Sequence, residues 1–323
     1  MKVGIIGDAC LDIYWHADMR ISELSRETPH HNLPIIREEP SPGAAGNVAV
    51  NFGRLNCAEV SICTVFGNDW RGALLKEKFS EHGIDYSRSL TEEHRYTPTY
   101  CKSIRHGLQG VRQEDKRIDF VNRTELTTAA TARLVQELDR MAARVDVISV
   151  IDQVDNGVIT AEIVERLQYW SAQGKLIVVD SRNRIGSFRG MIVKPNELEA
   201  VRSLSGNSIL YLQENEHDMI RAGLQLSAHV GKPCCMTLGD KGAVWFENQS
   251  CTFIPTTAVA PPIDITGAGD TFNAALISAL GIGCRGEEAV EFAHLAAAVS
   301  IRRLDGAGSA TPEEILSRYD ELN

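Results

Sequence analysis

The stretch Asp264-Ile-Thr-Gly-Ala-Gly-Asp-Thr-Phe272 decides how the rest of the chain is read. It closes a loop opened by Pro261-Pro262, and Thr271 to Leu280 behind it is an unbroken helix-forming run. The spacing predicts Gly267, Ala268 and Gly269 at a helix N-terminus. Small residues there let anionic oxygens reach free backbone N–H groups, and the positive helix end favours negative charge. A carboxylate in the first turn, Asp270, would accept a proton from a hydroxyl aimed at a bound phosphate. Taken alone, the same stretch is also a glycine-rich turn capped by an acid, with no chemistry attached.

Outward from this point, apolar runs suited to buried strands recur at Val3 to Ile6, Val60 to Phe66, Val145 to Ile151, Leu176 to Val179, Met191 to Val193, Cys234 to Leu238 and Ala243 to Phe246. Segments of helical period separate most of them. The alternation predicts an α/β protein with a mainly parallel sheet, helices on both faces and ligands at the carboxyl ends of the strands. Two stretches break the pattern, about 13–40 and 97–119. We expect them to form a small sheet projecting over the main one within a single domain spanning 1–323, since structureless loops of that length are uncommon.

Composition narrows the function classes. With 33 Lys and Arg against 43 Asp and Glu, the net charge is −10, and no long basic run occurs, so neither nucleic acid nor an anionic membrane is an expected partner. The apolar run at Met1 to Gly7 is too short for a signal peptide. Eight Cys lie mostly inside apolar runs without a Cys-x-x-Cys spacing, which points to reduced thiols and a cytoplasmic setting. Cys234 and Cys235 are adjacent on an expected strand, so their side chains should face opposite ways.

Asp264 to Phe272 closely resembles the second signature of the ribokinase (PfkB) family of carbohydrate kinases, Asp-x-x-Gly-Ala-Gly-Asp-Thr-Phe. The resemblance extends over nearly the whole chain. It implies a three-layer ribokinase-like sandwich with a mainly parallel central sheet and a small β lid, and phosphoryl transfer from ATP to a sugar with Asp270 as base. Lys194-Pro-Asn196-Glu-Leu-Glu199 looks like the family's Asn-x-x-Glu element, in which the Glu organises water around Mg²⁺ and the Asn faces the phosphates, and the resemblance places Lys194 on the nucleotide side with them. By itself it reads as an acidic helix start. Thr237-Leu-Gly239-Asp-Lys-Gly242 resembles the nucleotide-facing loop. Asp264 and Thr266, with Gly308 in Gly306-Ala-Gly308-Ser309, match the loops that flank a monovalent cation, so K⁺ is expected. Neither a Walker A run nor a protein-kinase motif set is present.

At the sugar end, Asp8 and Asp12 follow the first strand as paired acceptors suited to adjacent hydroxyls. Asp12 matches the family's sugar-binding Asp, and Asp8 is equally a strand-end turn residue. Ser41-Pro-Gly43-Ala-Ala-Gly46-Asn47 resembles the first family signature, where Gly43 lets the backbone approach the sugar and Asn47 hydrogen-bonds it. Ala44 and Gly46 stand where Gly and Ala are commoner, so the backbone there should differ. Leu11 to Trp15, Arg20 to Glu23 and the stretch from Thr99 to Asp119 are most similar to heptose-7-phosphate kinases of the lipopolysaccharide pathway. The segment Leu24 to Pro34 departs from that subgroup, and no fused nucleotidyltransferase is expected after Asn323. Lys102, Arg105 and Arg112 are the candidates for a distal sugar phosphate, or else form a solvated basic face. Asp180-Ser-Arg182 is either a substrate contact or a structural ion pair. Lid strands in this family often pair between subunits, which implies a homodimer. A nucleoside or vitamin kinase, or a non-catalytic sugar sensor, are the alternatives on the same fold.

Overall fold

Turn residues cut the apolar runs into short strands, and helical periods fill the gaps. The computed structural model describes residues 1–205, 216–304 and 306–322. Its strands begin with β1 (Lys2–Gly7), β2 (Ala9–Asp18), β3 (Ile35–Ala44), β4 (Glu59–Cys63) and β5 (Val65–Gly67). They continue with β6 (Leu90–Glu92), β7 (Thr99–His106), β8 (Arg112–Glu114), β9 (Ile118–Phe120) and β10 (Val147–Asp152). The last are β11 (Leu176–Ser181), β12 (Ile192–Val193), β13 (Cys234–Thr237), β14 (Ala243–Glu247) and β15 (Ser250–Ile254). The helices are α1 (Ala45–Arg54), α2 (Trp70–Glu81), α3 (Thr128–Ala142), α4 (Ala161–Ala172) and α5 (Glu197–Ser205). They end with α6 (Glu216–Val230), α7 (Ala268–Gly281), α8 (Gly286–Ser300) and α9 (Pro312–Asp320). No helix among the described residues is long and apolar enough to cross a membrane.

The main sheet has the order β15-β14-β13-β12-β11-β10-β1-β4. Its neighbours are parallel from β4 to β13, and β14 and β15 extend the edge antiparallel. Side chains alternate between two helical layers, as the pleat requires. Val3 and Ile5 pack with α1 and α7, while Ile6 packs with α3. Cys234 and Cys235 fall in the cores of opposite layers, and all eight cysteines are free thiols. Full burial of side chains such as Phe52, Phe79 and Phe246 contributes about 1.5–3 kcal/mol each. The edge strand β15 was not foreseen, because four of its five residues are exposed and it lacks the apolar run that marks a buried strand.

A second, five-stranded sheet has the order β3-β2-β7-β8, with β9 also pairing β7. It begins at Ala9 and extends to Ala44, so it includes Asp12 and Gly43, which the expected lid boundaries left outside. β3 is an edge strand, which explains how it tolerates Pro40 and Pro42. Residues paired across β2 and β7 share a face. Asp12 and Tyr14 lie beside Tyr100 and Lys102 on one face, and Leu11 and Ile13 lie beside Thr99 and Cys101 on the other. The apolar face is built into the core around Phe66 and Phe79.

Asp8 joins the two sheets and corrects an expectation. Its carboxylate accepts the backbone N–H groups of Gln153 (2.8 Å), Val154 (3.0 Å) and Val158 (2.7 Å), and it is only 2% exposed. Burial pushes its pKa up to about 6 against the pull of those three amides. Both oxygens are therefore occupied in pinning the loop after β10, and Asp8 is a turn residue rather than a sugar acceptor.

Between β3 and α1, Ala44 adopts φ 48° and ψ −123°, a conformation that favours glycine. Gly46, the other exchanged residue, has no room for a side chain, since a Cβ would lie 2.9 Å from that of Pro42. The exchange therefore leaves strain at residue 44. Ala44→Gly should stabilise the protein by about 1 kcal/mol in urea unfolding. A lower midpoint in that variant would mean that packing of the methyl group outweighs the strain.

Candidate active site

Helices α2, α3, α4 and α9 each begin with an Asp or Thr whose side chain accepts a first-turn N–H. Helices α1 and α7 have no such side-chain cap, and their N-termini meet. Gly267 precedes α7 at φ 75°, where a Cβ would lie 2.7 Å from Asn47 Nδ2 and 2.9 Å from Ala307 Cβ. At Gly269 the corresponding position has no neighbour within 4 Å, so the backbone is open there. The Ala268 N–H is engaged by the Ile265 carbonyl at 3.2 Å. The expected trio of anion-facing amides is thereby reduced to those of Gly267 and Gly269, which have no protein acceptor among the described residues.

Asp270 Oδ2 accepts Asn47 Nδ2 at 2.7 Å. Burial pushes the Asp270 pKa up to about 7; the Asn47 hydrogen bond and Lys194 oppose that rise, and Asp180 and Asp12 add to it. Such a group is half-ionised near neutral pH, as a general base should be. Asp12 faces the same cleft from β2, with its pKa raised to about 6 by burial and moderated by Lys102 and Arg117. Gly43 must be glycine because a Cβ would fall 2.4 Å from Asp12 Oδ2. Asp270, Asp12, Asn47 and Gly43 thus come together.

Behind them, Lys194 is 5% exposed and its Nζ lies 2.8 Å from Asp180 Oδ2. Burial disfavours the ammonium, but Asp180 and Glu199 outweigh it and push its pKa up to about 12. Lys194 was expected to face the nucleotide; its charge is instead committed to Asp180, and Asp180 takes this partner rather than Arg182. Gln153, which the sequence reading passed over, donates to the other Asp180 oxygen at 2.9 Å. Asn196 and Glu199 cap α5 reciprocally, each accepting the other's backbone N–H at 2.9 Å. Burial and Asp180 raise the Glu199 pKa, with Lys194 opposing. Thr237 bridges to Asn196 at the next strand end, and Gly242 turns at φ 119° where a Cβ would strike the Ile254 carbonyl. Gly239, at φ 62°, has open space around it.

Asp264 joins two loops, accepting the N–H groups of Thr266 (2.9 Å) and Gly306 (3.3 Å). Burial resists its ionisation, but the Thr266 hydroxyl together with these two amides prevails and lowers its pKa. The Gly308 carbonyl accepts the Thr271 hydroxyl at 3.2 Å. The two loops expected to flank a cation are therefore adjacent. No cluster of three or more His, Cys, Asp or Glu among the described residues would hold a metal by itself.

On the lid, Lys102 Nζ sits 5.3 Å from the Tyr14 ring centre, on the Asp12 face. Arg105 falls on the opposite face by strand parity and is held by Asp115 at 2.6 Å, so it is withdrawn from the phosphate candidates. Arg112, exposed on β8, lines a 540 Å³ hollow with Glu114, Asp264 and Ile265. Arg117, which the sequence reading did not select, stacks on Tyr100 at 4.5 Å and acts electrostatically on Asp12.

An uncapped helix start, a carboxyl that burial raises toward neutrality and a second sheet meet at one cleft. Residues 14–313 match the pfkB family carbohydrate kinases, and the chain belongs to that family. It is 32% identical over 316 residues to the bifunctional protein HldE of a Nitratiruptor species, covering 97% of this chain and 64% of that protein. HldE of Helicobacter hepaticus is 32% identical over 320 residues, 98% of this chain and 63% of that protein. The chain thus spans less than two thirds of these relatives. Among solved structures, ribokinase of Thermotoga maritima superposes with a TM-score of 0.69 at 22% identity, over 99% of both chains. Phosphofructokinase-2 of Escherichia coli in complex with potassium gives 0.74 at 16% identity, again over 99% of both chains.

The raised pKa of Asp270 has a consequence for folding. The native state binds this proton more tightly than the unfolded chain, whose carboxyl titrates near 3.8. Its contribution to stability is therefore fully present below that value and declines until pH reaches about 7. Asp270→Asn removes the titration. Its melting temperature should exceed that of the wild type at pH 8, with the gap narrowing toward pH 5. A constant gap across that range would contradict the burial argument.

Proposed function

We propose that the protein transfers the γ-phosphoryl group of ATP to a sugar hydroxyl, with Asp270 as the base. The single observation carrying this reading is the pairing of Asp270, held by Asn47 at 2.7 Å, with the uncapped start of its own helix. Bound ATP supplies the phosphoryl group, and Mg²⁺ supplies positive charge toward the phosphate oxygens. The residues fit both: open backbone at Gly269 suits an anion, and the raised Glu199 carboxyl beside Asp180 suits water-mediated contact with a cation. Asn196, Thr237, Gly239 and Gly242 form the nucleotide side in this reading. Asp12 and Asn47 orient the sugar, Gly43 admits it closely, and Asp270 takes its proton as the hydroxyl attacks. The Gly267 and Gly269 amides hold the developing charge. K⁺ would lie between the Asp264–Thr266 loop and Gly308, where backbone carbonyls are the donors.

A heptose 7-phosphate is the acceptor we propose. The identity to HldE proteins and the resemblance of the lid to heptose-7-phosphate kinases support it, with Lys102 and Arg112 receiving the distal phosphate. A nucleoside kinase is less well supported, because Tyr14 is engaged by Lys102 and by the Thr266 side chain rather than presented for stacking. A sensor would have no use for a carboxyl tuned near neutrality. Buried free thiols fit a cytoplasmic enzyme, and the exposed edge of β3 with Ile35 and Ile36 suits pairing of lids in a homodimer.

Radiometric phosphate transfer to heptose 7-phosphate, fructose 6-phosphate, ribose and nucleosides tests the acceptor. Asp270→Asn should lower kcat at least a thousandfold while leaving ATP binding by calorimetry nearly intact, which is about 4 kcal/mol of transition-state stabilisation. In the wild type, kcat/KM should fall tenfold per pH unit below about 7. Near-normal turnover in Asp270→Asn would end this assignment. Lys102→Ala should raise KM for a phosphorylated sugar about tenfold or more with little effect on its dephosphorylated form. An equal effect on both forms would remove Lys102 from phosphate recognition.

A further inference from the structure

The amide of Asn47 has two faces of nearly equal shape, and only one of them donates. Whether NH₂ or oxygen meets Asp270 depends on what holds the other half of the group. Asn51, one turn later on α1, supplies that hold. Its Nδ2 donates to the Asn47 backbone carbonyl at 2.9 Å, an i to i+4 contact that fixes its own orientation, and lies 3.4 Å from Asn47 Oδ1. Asn51 is 0% exposed, so its side chain does not open onto the cleft. Its own Oδ1 has no partner among the described residues, so the side chain carries a burial cost that an apolar residue would avoid.

We propose that Asn51 is a positioning residue for the base, keeping Asn47 in the orientation that donates to Asp270. Reversing the Asn47 amide would set its oxygen against the Asp270 carboxylate, which is repulsive. The donor on Asn51 makes that reversal unfavourable by leaving its own N–H facing an NH₂. The catalytic consequence rests on the reading of Asp270 as base, whereas the positioning itself does not.

The test is a carboxyl titration of the full chain carrying ¹³C-labelled Asp, with the Asp270 resonance assigned by its loss in Asp270→Asn. The wild-type midpoint should fall near 7. Loss of a donor to the anion raises a carboxyl pKa, so Asn51→Leu should move the midpoint up by about one pH unit. Asn51→Ser, whose hydroxyl can reach the Asn47 backbone carbonyl but is too short to reach Asn47 Oδ1, should do the same and serves as the readout where the Leu variant does not fold. Asn47→Ala should show the rise by itself, and adding Asn51→Leu to it should give no more. Asn273→Ala is the packing control: it is equally buried on α7, and both its amide atoms lack partners among the described residues. Its midpoint should not move. An unmoved midpoint in the folded Asn51 variants, or an equal rise in Asn273→Ala, overturns the proposal. If Asp270→Asn retains turnover, the base reading falls separately and the titration result stands.

Discussion

The hydrogen bond from Asn47 to Asp270 is the constraint around which the rest of the protein is arranged. It ties together the first turns of two helices that begin without side-chain caps, at the point where the main sheet and the lid sheet meet. Gly267 has no side chain because Asn47 occupies its space, and Gly43 has none because Asp12 does. The strained backbone at Ala44 follows from the same convergence, since the chain must turn sharply from the edge strand β3 to deliver Asn47 one turn later. Local conflicts of this kind persist where the surrounding structure over-determines them, and they concentrate at functional sites.

The cleft is rich in acid. Asp12, Asp180, Glu199 and Asp270 face it, and Lys194 is the buried counter-charge, already committed to Asp180. Burial lifts three of these carboxyls above their ordinary values, while Asp264 stays low because the Thr266 hydroxyl and two backbone amides serve it. Ionising all of them together is costly, which separates their roles. Asp264, less deeply enclosed and well supplied with donors, remains an anion and a structural tie; Asp270, deeply enclosed and with a single side-chain donor, is left able to exchange a proton.

Much of this was legible in the sequence, for physical reasons. Buried parallel strands announce themselves as apolar runs, and the glycine pattern before Asp270 locates a helix start. What stayed hidden depended on partners rather than residue type. Asp8 and Asp12 look alike four residues apart, yet the first faces three amides of a loop more than 140 residues away and the second faces open cleft. Lys194 reads as a nucleotide-side residue until Asp180 is found against it. Arg105 lies three residues from Lys102, so strand parity alone puts the two on opposite faces. Ala44 was foreseen as a departure in backbone geometry, and its positive φ is the form that departure takes.

An uncapped helix start near the middle of the protein needs support from elsewhere. Capping contributes about 1 kcal/mol to an ordinary helix, and α7 forgoes it. The compensation is burial: Thr271 to Ile277 are all buried, and α7 packs against α1, α8 and the sheet. Apolar burial of several side chains exceeds a missing cap several-fold. The helix can therefore keep backbone amides open to an anion without fraying, because tertiary packing rather than its own first turn holds it in place. The same logic accounts for Asn51, whose buried donor steadies Asn47 from within the α1–α7 seam, where solvent cannot compete for it.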